Sequence, residues 1–229
     1  MNGPDLVPVA DHGVLVRFGD DIAPETLARV RDLADTLTRH PPVGLVEVVP
    51  AMTSVLVVFD PLQTDHVAIG DTVTANLASA APRPPGAVHV IDVCYDEPSA
   101  PDLAELARLR GLDPADVVEA HLGATYTVGM YGFAPGYAYL AGTPEAIRQA
   151  RRATPGPPVP AGSVIVAGQQ CLVIPVAMST GWFAIGRSPT RVFDPEAERP
   201  FLVDVGDTVV FRRIDADELN ACLERWEGP

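Results

Sequence analysis

From Tyr126 onward, the sequence consists of short β segments that are separated by glycine or proline. The segments are rich in valine and isoleucine, and helical periodicity is nearly absent until Asp215. Repeated short strands of this kind are typical of a closed barrel or a sandwich. This part of the chain is therefore predicted to be a β-barrel with one short helix over residues 215–227. The predicted strands are TYTVGMY, SVIVAG, CLVIPV, GWFAIG, TRVF and DTVVFRRI.

The first eighty residues follow a different pattern, in which strand and helix signals alternate. The spacing predicts a strand over residues 14–19 and a helix over 24–38 that opens at a proline. Two β-branched runs at 45–49 and 55–59 predict a hairpin, and a second helix is predicted over 65–78. The order β-α-β-β-α suits a small open sheet with helices on one face.

A stretch of proline, glycine and alanine over residues 79–87 separates these two patterns. It has no periodicity, so it predicts a linker. A strand over residues 88–95 and two short helices follow it, before the β-rich part begins. We therefore expect an α+β protein with an α/β domain over residues 1–82 and a β-barrel domain over 83–229.

Charge and composition exclude several classes of function. The 229 residues include 16 basic and 30 acidic side chains, which gives a net charge of −14. Such a surface repels nucleic acid and anionic membranes, so neither is expected as a partner. No apolar run is long enough to span a bilayer. The three cysteines form no paired pattern and the first residues lack a signal peptide, so we expect a cytoplasmic protein.

The segment YGFAPGYAYL, residues 131–140, concentrates aromatic side chains in a chain that is only 6% aromatic. Ala134 to Tyr137 have the pattern of a type II turn, with glycine where a positive φ is required. A packed barrel corner is one reading of this segment. The wall of a binding site is the other, because a core rich in valine does not need three phenols whose hydroxyl groups require partners.

Outside this segment, the residues themselves do not identify a chemistry. His121 precedes the aromatic segment, but the remaining histidines complete no metal-binding pattern with it, so no metal site is predicted. The sequence has no nucleophile elbow, no phosphate-binding loop and no paired carboxylates.

The block EAHLGATYTVGMYGFAPGYAYL, residues 119–140, resembles the signature of the KipI family. Members of that family are also called the B-type subunit of 5-oxoprolinase or, in older usage, allophanate hydrolase subunit 1. The similarity continues through VPAGSV, GW and IGRSP to PFLVDVGDTVVFRRI and so covers nearly the whole chain. It implies an α/β N-terminal domain followed by a cyclophilin-like β-barrel.

The resemblance also implies a function and partners. Members of the family work with a KipA-type subunit, known as the C-type subunit of 5-oxoprolinase or allophanate hydrolase subunit 2, and with a further hydrolase subunit. The assembly opens a lactam or another amide with ATP. We therefore expect a subunit of an ATP-dependent hydrolase that is inactive alone and shares its site with the KipA-type subunit, with ATP as a cofactor of the complex.

The match to the family pattern, together with side-chain chemistry, assigns roles to individual residues. His121 is the expected proton carrier, with Glu119 or Tyr126 orienting it. Arg151 and Arg187 are expected to bind an anionic group, because guanidinium pairs with carboxylate and phosphate. Phe133, Tyr139 and Trp182 are expected to form an apolar wall. The full set of predicted substrate-binding residues is Phe133, Pro135, Gly136, Tyr139, Arg151, Gln170, Trp182 and Arg187.

The chain departs from the family pattern at several positions that are expected to line one barrel mouth. Gly156 replaces the arginine of a second Pro-Arg pair. The other departures are at Cys171, Ile174, Ser179 and Thr180. Two further functions stay open: a regulatory module such as a histidine-kinase inhibitor, and a prolyl isomerase. The isomerase rests on the fold type alone and is ranked last.

Overall fold

A computed structural model describes residues 3–78 and 86–225. It divides the chain into two compact units, Met1–Pro85 and Gly86–Pro229. The predicted linker at 79–87 and the predicted boundary at 82/83 fall largely outside the described residues, so the boundary stays a prediction. No helix in the described ranges is both long and apolar enough to cross a membrane.

The first unit is a four-stranded antiparallel sheet in the order β1-β2-β4-β3 with two helices. Its core forms where alternate residues of β2 and β4, among them Val16 and Val57, meet the apolar stripes of the helices. The predicted elements are present, and β1 is an additional edge strand. The elements are β1 Asp5–Val9, β2 Gly13–Arg17, α1 Pro24–Arg39, β3 Leu45–Pro50, β4 Ser54–Phe59 and α2 His66–Ala78.

The second unit is a closed seven-stranded barrel in the order β10-β5-β11-β6-β7-β9-β8. Strands β5 and β11 pair in parallel, and the other neighbours pair antiparallel. The strands are β5 Val88–Cys94, β6 Tyr126–Tyr131, β7 Ala138–Ala141, β8 Ser163–Ala167, β9 Gln170–Val173, β10 Phe183–Arg187 and β11 Thr208–Ile214. The helices are α3 Leu103–Arg110, α4 Pro114–Leu122 and α5 Ala216–Glu224.

This architecture confirms the predicted fold class, a mixed α/β protein with a β-barrel and a separate small sheet. One predicted strand differs: the residues of TRVF form no ladder, and Phe193 makes an isolated bridge to Phe201. Pro189 and Pro195 flank this segment, and a proline cannot donate a ladder hydrogen bond.

Two apolar clusters cover the two faces of the barrel wall. The inner cluster takes residues from all seven strands and from α3 and α4. The outer cluster includes Ile165, Leu172 and Ala184, which alternate with inward-facing neighbours along β8, β9 and β10. Both faces of these strands are therefore buried, which explains why their sequences are continuously apolar rather than alternating.

Candidate functional site

The tight turn within the aromatic segment has the hydrogen bond and the positive φ that a type II turn predicts. The amide of Tyr137 donates to the carbonyl of Ala134 at 3.0 Å, and Gly136 has a φ of 78°. A Cβ atom at Gly136 would lie 2.3 Å from the Cβ of Phe193, so no larger residue fits without movement. Phe133 has a φ of 65° and is 76% exposed. A left-handed, exposed phenylalanine is strained and unshielded, which is typical of a functional surface.

Four aromatic rings form a row along the outer face of the barrel. The ring centroids of Phe133 and Tyr137 are 5.1 Å apart, those of Tyr137 and Tyr139 are 5.2 Å apart, and those of Tyr139 and Trp182 are 6.0 Å apart. These spacings are in the range of favourable aromatic pairs. Burial, with a smaller contribution from Tyr139, raises the pKa of Tyr137 to about 12, so its hydroxyl group is protonated at neutral pH.

A cavity lies at each end of this aromatic row. The cavity at the Phe133 end has a volume of about 530 Å³ and is lined mainly by aromatic and apolar residues, with Asp204 as its charged group. The cavity at the Trp182 end has a volume of about 400 Å³ and is lined by Arg152, Asp102 and Glu105 as well as by Trp182 and prolines. The row thus connects an apolar cavity with a polar one.

Arg152 lines the polar cavity and pairs with both of its carboxylates. Its guanidinium donates to Asp102 at 2.8 Å and to Glu105, and it lies over the ring of Phe183 at 4.2 Å. Burial alone would lower the pKa of Arg152, but the hydrogen bonds to the two carboxylates and their charges raise it above its ordinary value. Asp102 is held in turn by the amide of Ala184, which donates at 2.8 Å.

His121 lies on the opposite side of the barrel wall, in the interior. Its ring is fully buried, with Nδ1 at 2.8 Å from the Tyr95 hydroxyl and Nε2 at 3.4 Å from the Cys171 sulfur. Burial lowers the pKa of His121 to about 3, so the imidazole is neutral at physiological pH. Hydroxyl and thiol groups can each donate or accept, so both ring nitrogens are satisfied within the protein.

The other two predicted catalytic residues differ in their position relative to the His121 ring: one packs against it and the other is exposed to solvent. Tyr126 packs against His121 with ring centroids 5.3 Å apart, and its hydroxyl donates to the His121 carbonyl. Glu119 is exposed on α4, whereas the imidazole ring is buried. The partners that hold the His121 ring, Tyr95 and Cys171, were not predicted, because they are distant from it in sequence.

The predicted substrate-binding residues also divide into groups. Phe133, Tyr139 and Trp182 share the aromatic row, and Pro135 lines the apolar cavity. Arg151 is exposed and does not line the polar cavity, whereas its neighbour Arg152 does. Arg152 was not among the predicted residues, although it is adjacent to Arg151 in the sequence.

Two more predicted residues lie apart from the aromatic row. Arg187 ends β10 opposite Cys94, and its buried Nε has no hydrogen-bond partner among the described residues. Gln170 begins β9, where it pairs with Ala141.

The positions that depart from the family pattern do not all line one mouth of the barrel, contrary to the expectation. Gly156 and Thr180 line the polar cavity. Cys171 faces the interior beside His121, and Ile174 is buried in the outer apolar cluster. Ser179 is exposed.

The fold is that of carboxyltransferase-type domains. The crystal structure of TTHA0988 is 34% identical, with a TM-score of 0.77 over 90% of this chain, which spans 40% of that one. The urea amidolyase of K. lactis shows the same fold at 18% identity, with a TM-score of 0.77 over 96% of this chain and 15% of that one.

The relationship is also evident in the sequence. Residues 4–203 match the family described as carboxyltransferase domain, subdomain C and D, and the chain belongs to this family. It is 33% identical over 228 residues to the B-type subunit of 5-oxoprolinase from Bacillus subtilis, which covers 94% of this chain and 95% of that protein. The predicted family assignment is confirmed.

Proposed function

We propose that this chain is a subunit of an ATP-dependent hydrolase that opens a lactam or another amide, equivalent to the B-type subunit of 5-oxoprolinase. The observation that carries the proposal is the similarity to that subunit along nearly the full length of both chains. The outer-face row supports it, because an aromatic wall that ends in a polar cavity is the usual form of a small-molecule site.

The proposal assigns the contact with substrate to the outer face. Phe133, Tyr139 and Trp182 provide the apolar wall, as the sequence predicts. The roles predicted for Arg151, Arg187, Gln170 and Gly136 in substrate binding stay predictions, and the lining of the polar cavity favours Arg152 over its exposed neighbour Arg151. The same holds for His121 as a proton carrier with Glu119 or Tyr126, which requires a proton to reach a fully buried ring.

A KipA-type subunit is the proposed partner. The apolar cavity at the Phe133 end is open, and Phe133 projects from it into solvent with a strained backbone. Burying such a ring against a partner removes apolar surface from water. We place the contact with this subunit at the Phe133 rim and the substrate along the aromatic row, with ATP bound at the level of the complex and a further hydrolase subunit completing it, in the cytoplasm.

Co-expression with a KipA-type protein from the same organism tests the proposal. The two proteins should elute together in gel filtration, and with the further hydrolase subunit they should hydrolyse ATP in response to 5-oxoproline or another lactam, whereas this chain alone should not. Separate elution at micromolar concentration, with no lactam-dependent ATP hydrolysis by the mixture, contradicts it. Inhibition of a histidine kinase by this chain alone would instead support the regulatory alternative.

A further inference from the structure

The charges of the polar cavity restrict what it can bind. Its charged lining residues are Arg152, Asp102 and Glu105, so one positive group faces two negative ones. The sum of these formal charges is −1. A ligand carboxylate would meet this net negative charge without an unpaired cation to receive it, because both carboxylates already bind Arg152.

Arg152 nevertheless keeps a donor for a ligand. Its NH2 group serves the two carboxylates, while NH1 reaches the Trp182 carbonyl at 3.4 Å. The NH1 nitrogen carries two hydrogens, so one of them has no partner within residues 3–78 and 86–225. A Cβ atom at Gly156 would lie 3.9 Å from NH1, and glycine leaves that space open.

Glu105 supplies the complementary acceptor. Both oxygens of Asp102 are used, one by Arg152 and the other by the Ala184 amide. Glu105 contacts Arg152 through Oε2, and its side chain is 44% exposed. Among the described residues no hydrogen bond reaches its Oε1, so this oxygen is the most accessible carboxylate acceptor for a ligand.

A donor on Arg152 and an acceptor on Glu105, next to the flat indole of Trp182, match a planar group in which a carbonyl is adjacent to an N–H. We propose that the polar cavity binds the amide edge of a neutral lactam or ureido compound, with the carbonyl accepting from Arg152 NH1 and the N–H donating to Glu105 Oε1. This inference rests on the proposed function and names the part of the substrate that this subunit recognises. Any carboxylate of the substrate must point away from Asp102 and Glu105.

Ligand-observed NMR titration of the purified chain tests this with three compounds. They are 2-pyrrolidinone, its N-methyl derivative, which lacks the N–H, and 5-oxoproline, which adds a carboxylate. The dissociation constant of 2-pyrrolidinone should be at least about tenfold lower than that of the N-methyl compound, as expected for one charge-assisted hydrogen bond. It should also be lower than that of 5-oxoproline.

Substitutions test whether 2-pyrrolidinone binds in the polar cavity. Arg152→Gln should weaken 2-pyrrolidinone binding about tenfold or more, and Arg108→Gln, at an exposed arginine on the helix that carries Glu105, should leave it within about twofold. Gly156→Val places a side chain beside NH1 while leaving the ion pairs intact, so it tests the cavity even if Arg152→Gln impairs folding. Glu105→Gln should reduce the preference for 2-pyrrolidinone over 5-oxoproline, because it removes one negative charge.

Three results overturn the inference: tighter binding of 5-oxoproline than of 2-pyrrolidinone, unchanged binding in Gly156→Val, or no binding of either lactam. The results that reject the proposed function differ from those that reject this inference. Lactam-dependent ATP hydrolysis by the complex, together with preferred binding of 5-oxoproline, would retain the function and reject the inference. If the compounds bind in the predicted order but the complex does not hydrolyse ATP, the inference is retained and the proposed function is rejected.

Discussion

The two faces of the barrel wall use polar side chains in opposite ways. Inside, His121 is enclosed by Tyr95, Cys171 and aromatic rings, and each ring nitrogen has a partner. On the other side, Arg152 lies over the Phe183 ring, shares its guanidinium between two carboxylates and still faces a cavity that Trp182 and Val159 of the outer cluster also line. A buried network whose members are all satisfied stabilises one arrangement, whereas polar groups beside a cavity are available to a ligand. We therefore assign stability to the inner face and recognition to the outer face.

The largest expected effect is on the inner face. His121→Ala removes a buried ring and leaves the Tyr95 hydroxyl without its partner, so the free energy of unfolding should fall by about 3–5 kcal/mol. Glu119→Ala is the matched control, because Glu119 is exposed on the same helix and should change stability by less than about 0.5 kcal/mol. Urea unfolding measures both. Equal stability of the two variants would show that His121 is not part of a cooperative core.

The next effect concerns the turn that leads to the outer face. Gly136→Ala should lower the free energy of unfolding by about 2–4 kcal/mol, because alanine disfavours the positive φ and its Cβ meets Phe193. At Gly132, a Cβ would have its nearest contact at 3.4 Å, with Met130, so Gly132→Ala is the control and should cost much less. If Gly136→Ala folds with wild-type stability, the turn is not as rigid as this geometry requires.

The pH dependence of the free energy of unfolding tests the buried histidine of the inner face. The pKa of His121 is lowered from 6.5 to about 3 by burial, so below pH 6.5 the unfolded chain binds a proton that the folded chain does not. The stability that the neutral His121 ring contributes is fully present above pH 6.5. It is lost as the pH falls from 6.5 towards 3, by up to about 1.4 kcal/mol per pH unit. His121→Gln should remove this slope between pH 6.5 and 5. An unchanged slope in that variant would contradict the buried, neutral histidine.

A smaller effect on stability is expected at Phe133. Phe133→Gly relieves the left-handed strain and loses one exposed ring contact, so stability should change by no more than about 1 kcal/mol. Association with the KipA-type subunit should weaken at least about tenfold, as measured by gel filtration and light scattering. Leu62→Ala removes another exposed apolar side chain, 93% exposed, and should leave association unchanged. Loss of stability without loss of association would make Phe133 structural.

The sequence predicted the fold well because local signals agreed with the tertiary structure. Proline at the start of α1 and the Pro-Gly turn at Ala134–Tyr137 are local features, and the structure forms both. The strand predicted at TRVF failed because β-branched composition does not reveal whether a neighbouring strand is available for pairing.

The site was predicted only in part, for a related reason. Tyr139 and Trp182 could be recognised from the family pattern, but which face of the wall each residue occupies depends on strand register. Cys171 and Leu172 are adjacent in β9, yet one contacts His121 and the other packs in the outer cluster. Arg152 could not be preferred to Arg151 from sequence, because its partners Asp102 and Glu105 lie about fifty residues away.

The most direct test of the central claim, that the outer face recognises the substrate, compares these two neighbouring arginines. Arg152→Gln and Arg151→Gln remove the same charge from adjacent positions. In the complex with the KipA-type and hydrolase subunits, Arg152→Gln should reduce lactam-dependent ATP hydrolysis at least about tenfold, and Arg151→Gln should retain activity within about twofold. The opposite order, with Arg151→Gln inactive and Arg152→Gln unaffected, would contradict the assignment.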